Sequence, residues 1–225
     1  MSKRFTHEDQ STIITFTDHV SAFNGLKRAD IKDKGLLCNK ISAYIFEYLN
    51  AQGVETQYLE TVDEVSQRVK QVTMIPIEVI IRNQAAGPWM ESLGLKHGKL
   101  LESTIIEYRL KKPGLNDPLI NSTHIHALGL CSDHELQRIH QTALFINELL
   151  TDLFRELNID LVDLKVEFGH DNQGRLVLAD SITPDTMRLW DHDSKEPLDK
   201  DVFRKDLGKL NQAYRVVLER MEYHI

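Results

Sequence analysis

The spacing of hydrophobic and polar positions changes along this chain, and the changes mark out its elements. Residues 11–17 (STIITFT) form a short β-rich run closed by Asp18 and His19, and a turn-rich loop occupies 21–25. In 39–53, Ile41, Ile45, Tyr48 and Leu49 recur at helical spacing, and Gly53 supplies a C-terminal stop. Residues 56–60 and 67–82 read as strands; Pro76 cannot donate to a ladder, so a bulge or strand switch is expected there. Ala85-Ala86-Gly87-Pro88 is a tight turn entering a short helix, and 103–110 is another strand, closed by Lys111-Lys112-Pro113-Gly114. Ser132-Asp133-His134-Glu135 is a capping box. It opens a long helix whose stripe of Leu136, Ile139, Ala143, Ile146, Leu150, Leu153 and Leu157 is core. A last helix is predicted over 200–223, burying Val202, Phe203, Leu207, Leu210, Val217, Leu218 and Met221.

The most informative stretch is 161–191. Val162, Leu164, Val166 and Phe168 alternate with Asp163, Lys165 and Glu167, which predicts a half-buried strand with a polar face. Asp171-Asn172-Gln173-Gly174 supplies turn chemistry, and 175–179 returns as the second strand. A turn centred between Asn172 and Gln173 puts Glu167 opposite Leu178, with Asp180 a diagonal neighbour at about 7–8 Å. Two carboxylates so placed can share a divalent cation and the phosphates it carries. A slip of one residue separates them, and solvated acids on an amphipathic hairpin are the alternative. Pro184, Asp185, Arg188, Trp190 and Asp191 then crowd charge and aromatic surface into a loop, as scaffolds that display chemistry often do.

A chain of 225 residues buries a sizeable core as one large domain or two small ones. Strands dominate early, and helices flank a late hairpin, so the fold class is α+β. The expected division is a smaller β-rich lobe over 1–75 and a larger α+β lobe over 76–225, with the cleft between them as ligand site. A net charge of −7 gives no support to a general nucleic-acid surface but leaves room for a local basic pocket. Cys38 and Cys131 are too few for a disulfide framework or a thiolate metal site. No signal-peptide pattern and no 18-residue apolar run is present, so a cytoplasmic chain without a membrane partner is expected. His124 and His126 have the spacing of two metal ligands on a strand, but no third ligand is placed, and surface histidines are the simpler reading. A kinase-like reading fails for want of an H-R-D catalytic loop.

Several ordered motifs carry a resemblance: SAFNG at 21–25, DKGLLCNKIS at 33–42, MIPIEVIIRNQAAG at 74–87, DPLIN at 117–121, LVDLKVEFG at 161–169, PDTMRLWD at 184–191 and LDKDVFRKDLG at 198–208. Over about 12–218 the chain resembles the SAICAR synthetase family of purine biosynthesis. The resemblance implies a two-lobed fold with the nucleotide between the lobes, and an ATP-dependent ligation. ATP phosphorylates the carboxylate of a carboxyaminoimidazole ribonucleotide, and the amine of L-aspartate displaces phosphate. It implies Mg²⁺ on Glu167 and Asp180, with Lys165 and Asp180 catalytic. Met74 matches the adenine-contacting connection between the lobes, and Lys3, Lys70 and Lys111 match lysines beside the nucleotide. Arg82, Asp185 and Arg188 match the ribonucleotide site, where arginine suits a phosphate by its bidentate geometry. Small-molecule substrates, no nucleic-acid polymer and a homodimer are implied as well.

Four departures from the family's pattern cluster at ligand-contacting positions. The opening glycine-lysine-alanine-lysine segment is represented only by Lys3. Pro88 stands for a phosphate-contacting serine and offers neither hydroxyl nor N–H. Lys112 and Pro113 stand where acids are usual, and Ser181 replaces the second acid of an aspartate-glutamate pair. Each lost hydrogen bond to a phosphate is worth about 1.5–3 kcal/mol. The departures are those expected of a ligase for an altered carboxylate or amine, of a nucleotide-binding protein without catalysis, or of a sequence lacking its opening residues.

Overall fold

The computed structural model describes residues 2–23, 25–112 and 114–224. Asn24 of the SAFNG motif and Pro113 of the Lys112-Pro113 departure lie outside the described residues. The chain runs through β1 (Lys3–His7), β2 (Ser11–Phe16), β3 (His19–Ala22), β4 (Lys27–Asp30), α1 (Lys34–Ala51), β5 (Tyr58–Asp63), β6 (Ser66–Lys70) and β7 (Val72–Gln84). It continues through α2 (Trp89–Ser92), β8 (Leu100–Leu110), β9 (Leu119–Ile120), α3 (Ser122–Ala127), α4 (Asp133–Glu156), β10 (Ile159–Asp171), β11 (Leu176–Ala179), β12 (Met187–Asp191), α5 (Asp201–Arg204) and α6 (Leu210–Tyr223).

A small sheet takes the order β1-β2-β6-β5, and a larger one the order β11-β10-β7-β8-β9, with β12 also pairing with β10. The paired strands in both sheets are antiparallel, which together with the helices gives the expected α+β class. α1 packs against α6 and the small sheet, while α4 packs against β10 and β7. Ile77, Val79 and Ile81 of β7, with Leu164, Val166 and Phe168 of β10, are buried members of the main core. Period-two alternation then places Glu78, Ile80 and Arg82, together with Asp163, Lys165 and Glu167, on the opposite face. That face is not wet, since Asp163 is 4% and Glu167 0% exposed. The polar alternation of β10 therefore marks a charged interior surface and not a solvated one.

Several elements differ from their sequence-based expectations, each for a local reason. The β10–β11 register pairs Glu167 with Ala179, one residue away from the expected Leu178. Asp171 pairs across a three-residue loop: its N–H donates to the Arg175 carbonyl, and Gly174 adopts φ +73°. α1 starts at Lys34 because Asp18 Oδ1 accepts from the Gly35 N–H at 3.0 Å, a partner 17 residues upstream. The final helix is broken, with α5 ending at Arg204 and α6 starting at Leu210; Asp206 and Gly208 between them hold φ +54° and +144°. His124 and His126 lie on α3, not on a strand, and His124 closes a capping box with Asn121. No metal-holding group of three or more His, Cys, Asp or Glu side chains exists among the described residues. Thr56 bridges to Leu178 of the large sheet before β5 begins, tying the two sheets together. The bulge expected at Pro76 is present, as a register shift between Glu78↔Glu167 and Met74↔Gly169. No described helix is long and apolar enough to cross a membrane.

Candidate active site

The face shared by β7 and β10 sets up an electrostatic problem and its local solution. Arg82 stands opposite Asp163, a matched pair with Nη1 3.2 Å from Oδ2. Glu78 stands opposite Glu167, an unfavourable like-charge pair. Lys165, opposite Ile80, resolves it: its Nζ is 2.8 Å from Glu78 and 2.6 Å from Glu167. Lys111, from the end of β8, contacts the other Glu167 oxygen. Burial pulls Lys165 down, but Glu167, Asp180 and Glu78 more than offset it and hold the ammonium above the ordinary lysine range.

Asp180 reaches the same centre by an unusual backbone. With Glu167 paired to Ala179, strand alternation alone turns Asp180 to the other face. Instead the residue leaves β11 with φ +60°, a left-handed conformation that costs a non-glycine residue energy. Its carboxylate lies 3.8 Å from Lys165 and contacts Lys3. Burial raises the Asp180 carboxyl, and Lys3 and Lys165 outweigh this to hold it at about 2. Lys3 also donates to Ser181 Oγ at 3.0 Å, so the serine at this departure is part of the same cluster.

Three cavities meet here. The first, of ≈ 230 Å³, has walls including Phe5, Ile14, Val69 and Met74, and ends on Lys70, Lys111, Glu167 and Asp180. Lys70 is anchored by the Thr56 carbonyl at 2.8 Å. The second, also ≈ 230 Å³, is lined by Arg82, Arg109, Arg188 and Arg204 beside Asp163 and Lys165. The third, ≈ 210 Å³, holds Lys3, Lys34, Lys165 and Lys200 against Asp180 and Asp185. Asp180 is common to the first and third, and Lys165 to the second and third. Lys3, Lys70, Met74, Arg82, Lys111, Lys165, Glu167, Asp180, Asp185 and Arg188 thus all line one or more of these three cavities.

The arginines are held by carboxylates. Arg188 is 2.6 Å from Asp163 and 3.3 Å from Asp201; burial lowers it, but those acids keep its guanidinium firmly charged. Arg82 also pairs with Glu107 at 2.7 Å. Asp185 accepts from Lys34 at 2.6 Å and from Tyr214 at 2.7 Å. Burial raises Asp185, but Lys34 and Lys200 draw it below the usual carboxylate range. Sequence reasoning overlooked Glu78, Lys34, Lys200, Tyr214, Glu107, Arg109 and Arg204 as site residues. Glu78 was legible, being two residues past Pro76 on the face of β7 that carries Arg82. Lys34 and Lys200 lie inside the DKGLLCNKIS and LDKDVFRKDLG motifs. Tyr214 carried no signal beyond the helical stripe.

The donor set suits a hard divalent cation. Glu167 and Asp180 converge on one ammonium, and Mg²⁺ is usually held by one or two carboxylates with waters and substrate phosphates.

An apolar-walled cavity that ends on acids and lysines, with a lysine-lined cavity between it and an arginine-lined one, is the layout of an enzyme bringing a nucleotide to an anionic second substrate. The chain belongs to the SAICAR synthetase family, whose model matches residues 3–221. It is 44% identical over 220 residues to phosphoribosylaminoimidazole-succinocarboxamide synthase of Clostridium botulinum, covering 97% of this chain and 94% of the relative. It is 42% identical to the synthase of that name from Streptococcus pneumoniae, covering 97% and 93%. Among solved structures, the synthase of Ehrlichia chaffeensis superposes with a TM-score of 0.95 at 38% identity, covering 98% and 95%. A SAICAR synthetase in complex with ADP gives a TM-score of 0.95 at 40% identity, covering 98% and 94%.

Proposed function

We propose that this chain is an ATP-dependent ligase joining the carboxylate of carboxyaminoimidazole ribonucleotide to the amine of L-aspartate through an acyl phosphate. The observation that carries the reading is the lysine-lined cavity, which shares Asp180 with the apolar cavity and Lys165 with the arginine-lined one. The nucleotide lies in the first cavity with Met74 against the base and Lys70 and Lys111 toward the phosphates. Arg82, Arg188 and Asp185 hold the ribonucleotide in the second. Lys165 sits between them and stabilises charge on the phosphoryl group in transit, while Asp180 orients that lysine and Lys3. Glu167 and Asp180 would hold Mg²⁺, which when bound would supply further neutralisation of phosphate charge.

The chemistry balances. A carboxylate oxygen attacks the γ-phosphorus and ADP leaves. The aspartate amine then attacks the acyl carbon, phosphate departs, and the nitrogen loses a proton. The lysine-lined cavity, with four ammoniums against two carboxylates, is a reasonable dock for a dicarboxylate amine. The 1–75 and 76–225 division puts the nucleotide between lobes, and the small sheet that ends at Lys70 supports it. The same reading carries a cytoplasmic homodimer, as the family resemblance implies. A coupled ADP-release assay with the ribonucleotide, L-aspartate and Mg²⁺ tests the reaction. Release that does not depend on both the ribonucleotide and aspartate would sink it.

A further inference from the structure

The lysines around Glu167 and Asp180 hold the same oxygens that a metal ion would need. Glu167 Oε1 is 2.6 Å from Lys165 Nζ, and Oε2 contacts Lys111. Asp180 Oδ1 contacts Lys3, and Oδ2 is 3.8 Å from Lys165. Every carboxylate oxygen of the pair thus has an ammonium within ion-pair reach. The charges also balance, with Lys3, Lys111 and Lys165 against Glu78, Glu167 and Asp180. Balance matters because the cluster is sheltered, with Glu167 0% exposed. A divalent cation arriving alone has to push ammoniums off the acids, and its own charge is then left uncompensated away from water. Nor do the acids make a complete site by themselves. Among the described residues no group of three or more His, Cys, Asp or Glu side chains could hold a metal.

A nucleotide answers both difficulties. Its phosphates supply the missing oxygen ligands, and they offer the displaced ammoniums new partners. Lys111 is placed for that exchange: it lies one residue past the end of β8, its side chain is 46% exposed, and it lines the apolar-walled cavity with Glu167 and Asp180. Lys3 lies on the edge strand β1 and lines the neighbouring cavity, which shares Asp180. Lys165, held between Glu78 and Glu167 within β10, stays where it is. Resting on the reading of Glu167 and Asp180 as metal-holding acids, we propose that Lys3 and Lys111 are stand-in cations. They occupy the metal-holding oxygens until nucleotide phosphates draw them off, so that a divalent ion binds tightly only together with nucleotide.

The test uses two titrations of the full chain and of its variants Lys111→Met and Lys3→Met. In the first, Mn²⁺ is added without nucleotide and the free ion is read by electron paramagnetic resonance. Both variants are expected to bind Mn²⁺ about tenfold or more tightly than wild type, the effect of removing one unit charge a few ångströms away. Adding Glu167→Gln to Lys111→Met should cancel the gain. In the second, ADP without metal is titrated by calorimetry. Here both variants should bind about tenfold more weakly, because the phosphates lose a charged donor. A lysine that only supported the fold would not move the two affinities in opposite directions. Unchanged or weaker Mn²⁺ binding in the variants would overturn the proposal, as would unchanged ADP affinity or a Lys111→Met gain that survives Glu167→Gln. If the opposed shifts appear but wild-type protein releases no ADP with the ribonucleotide and aspartate, the proposed ligation fails and the lysine exchange stands. If wild-type protein ligates and the shifts are absent, only the exchange fails.

Discussion

Replacing Asp180 by Asn removes a negative charge from the point where the apolar and lysine-lined cavities meet, and the structure sets the size of the effect. The side chain is 17% exposed, contacts Lys3 and lies 3.8 Å from Lys165. Its carboxyl is held at about 2 against an ordinary 3.8. Because the folded value is the lower one, the stabilisation is complete above about pH 4 and fades as pH falls toward about 2. A depression of this size is worth on the order of 2 kcal/mol. Asp180→Asn is therefore expected to lower the melting temperature near neutral pH by roughly 4–8 °C in a chain of this length. Urea unfolding of both proteins, followed by circular dichroism at stepped pH, reads the difference directly. The gap should be widest near neutrality and close in strong acid. A gap that stays constant into acid, or that is absent at neutral pH, would refute the ion-pair account. In the ADP-release assay the same substitution abolishes turnover. Glu167→Gln retains part of it at a raised Mg²⁺ requirement, since a magnesium shell readily accepts water in place of one carboxylate. Equal losses in the two variants would reverse that ranking.

Three further outcomes follow from particular contacts. Ser181→Glu restores an acid beside Lys3 in a cavity with more lysines than carboxylates, so the ligation rate should rise; a fall in ADP release would show that repulsion from Asp180 dominates. Gly169→Ala would put a Cβ 2.5 Å from the Thr73 carbonyl and into Val72, displacing the strand that carries Met74. It should cost roughly 1–3 kcal/mol in urea unfolding and weaken ADP binding, and unchanged ADP affinity would separate the bulge from the nucleotide cavity. Cys38 is buried, and burial pushes its thiol up to about 12, so a thiol reagent near pH 8 should label Cys131 alone in the native protein and both cysteines once it unfolds.

Much of the fold was legible because the strongest periodicities belong to elements stabilised by their own pattern. The capping box at Ser132 and the stripe from Ile139 to Leu153 define α4, and both appear as read: Ser132 Oγ accepts from the Glu135 N–H at 3.2 Å. What escaped was set by distant partners. Asp18 caps the first turn of α1 at Gly35, and no local rule predicts it. The break between α5 and α6 falls where apolar spacing continues through Leu207, so periodicity runs past a stop made by backbone angles at Asp206 and Gly208. The hairpin is the instructive case. Its register is one residue from the expected one, yet Glu167 and Asp180 still converge on Lys165, because the left-handed turn at Asp180 reverses the face that alternation assigns. Residue type pointed to the site, whereas the geometry that assembles it lay in a dihedral angle.

That strained residue and the surrounding ion pairs have a common physical purpose. A buried arginine or lysine that waits alone for a phosphate would be destabilising, and one free to move would have to be ordered during the reaction. Here Asp163 holds both Arg82 and Arg188, and Asp201 holds Arg188 and Arg204. Glu78, Glu167 and Asp180 surround Lys165 in the same way. The carboxylates thus maintain the cations charged and oriented before any ligand arrives, leaving in-plane or outward donors for the incoming anion. Such an arrangement also accounts for a protein with a net charge of −7 that binds polyanionic substrates: the acids that make the total negative lie partly inside the site, where each fixes a cation in place.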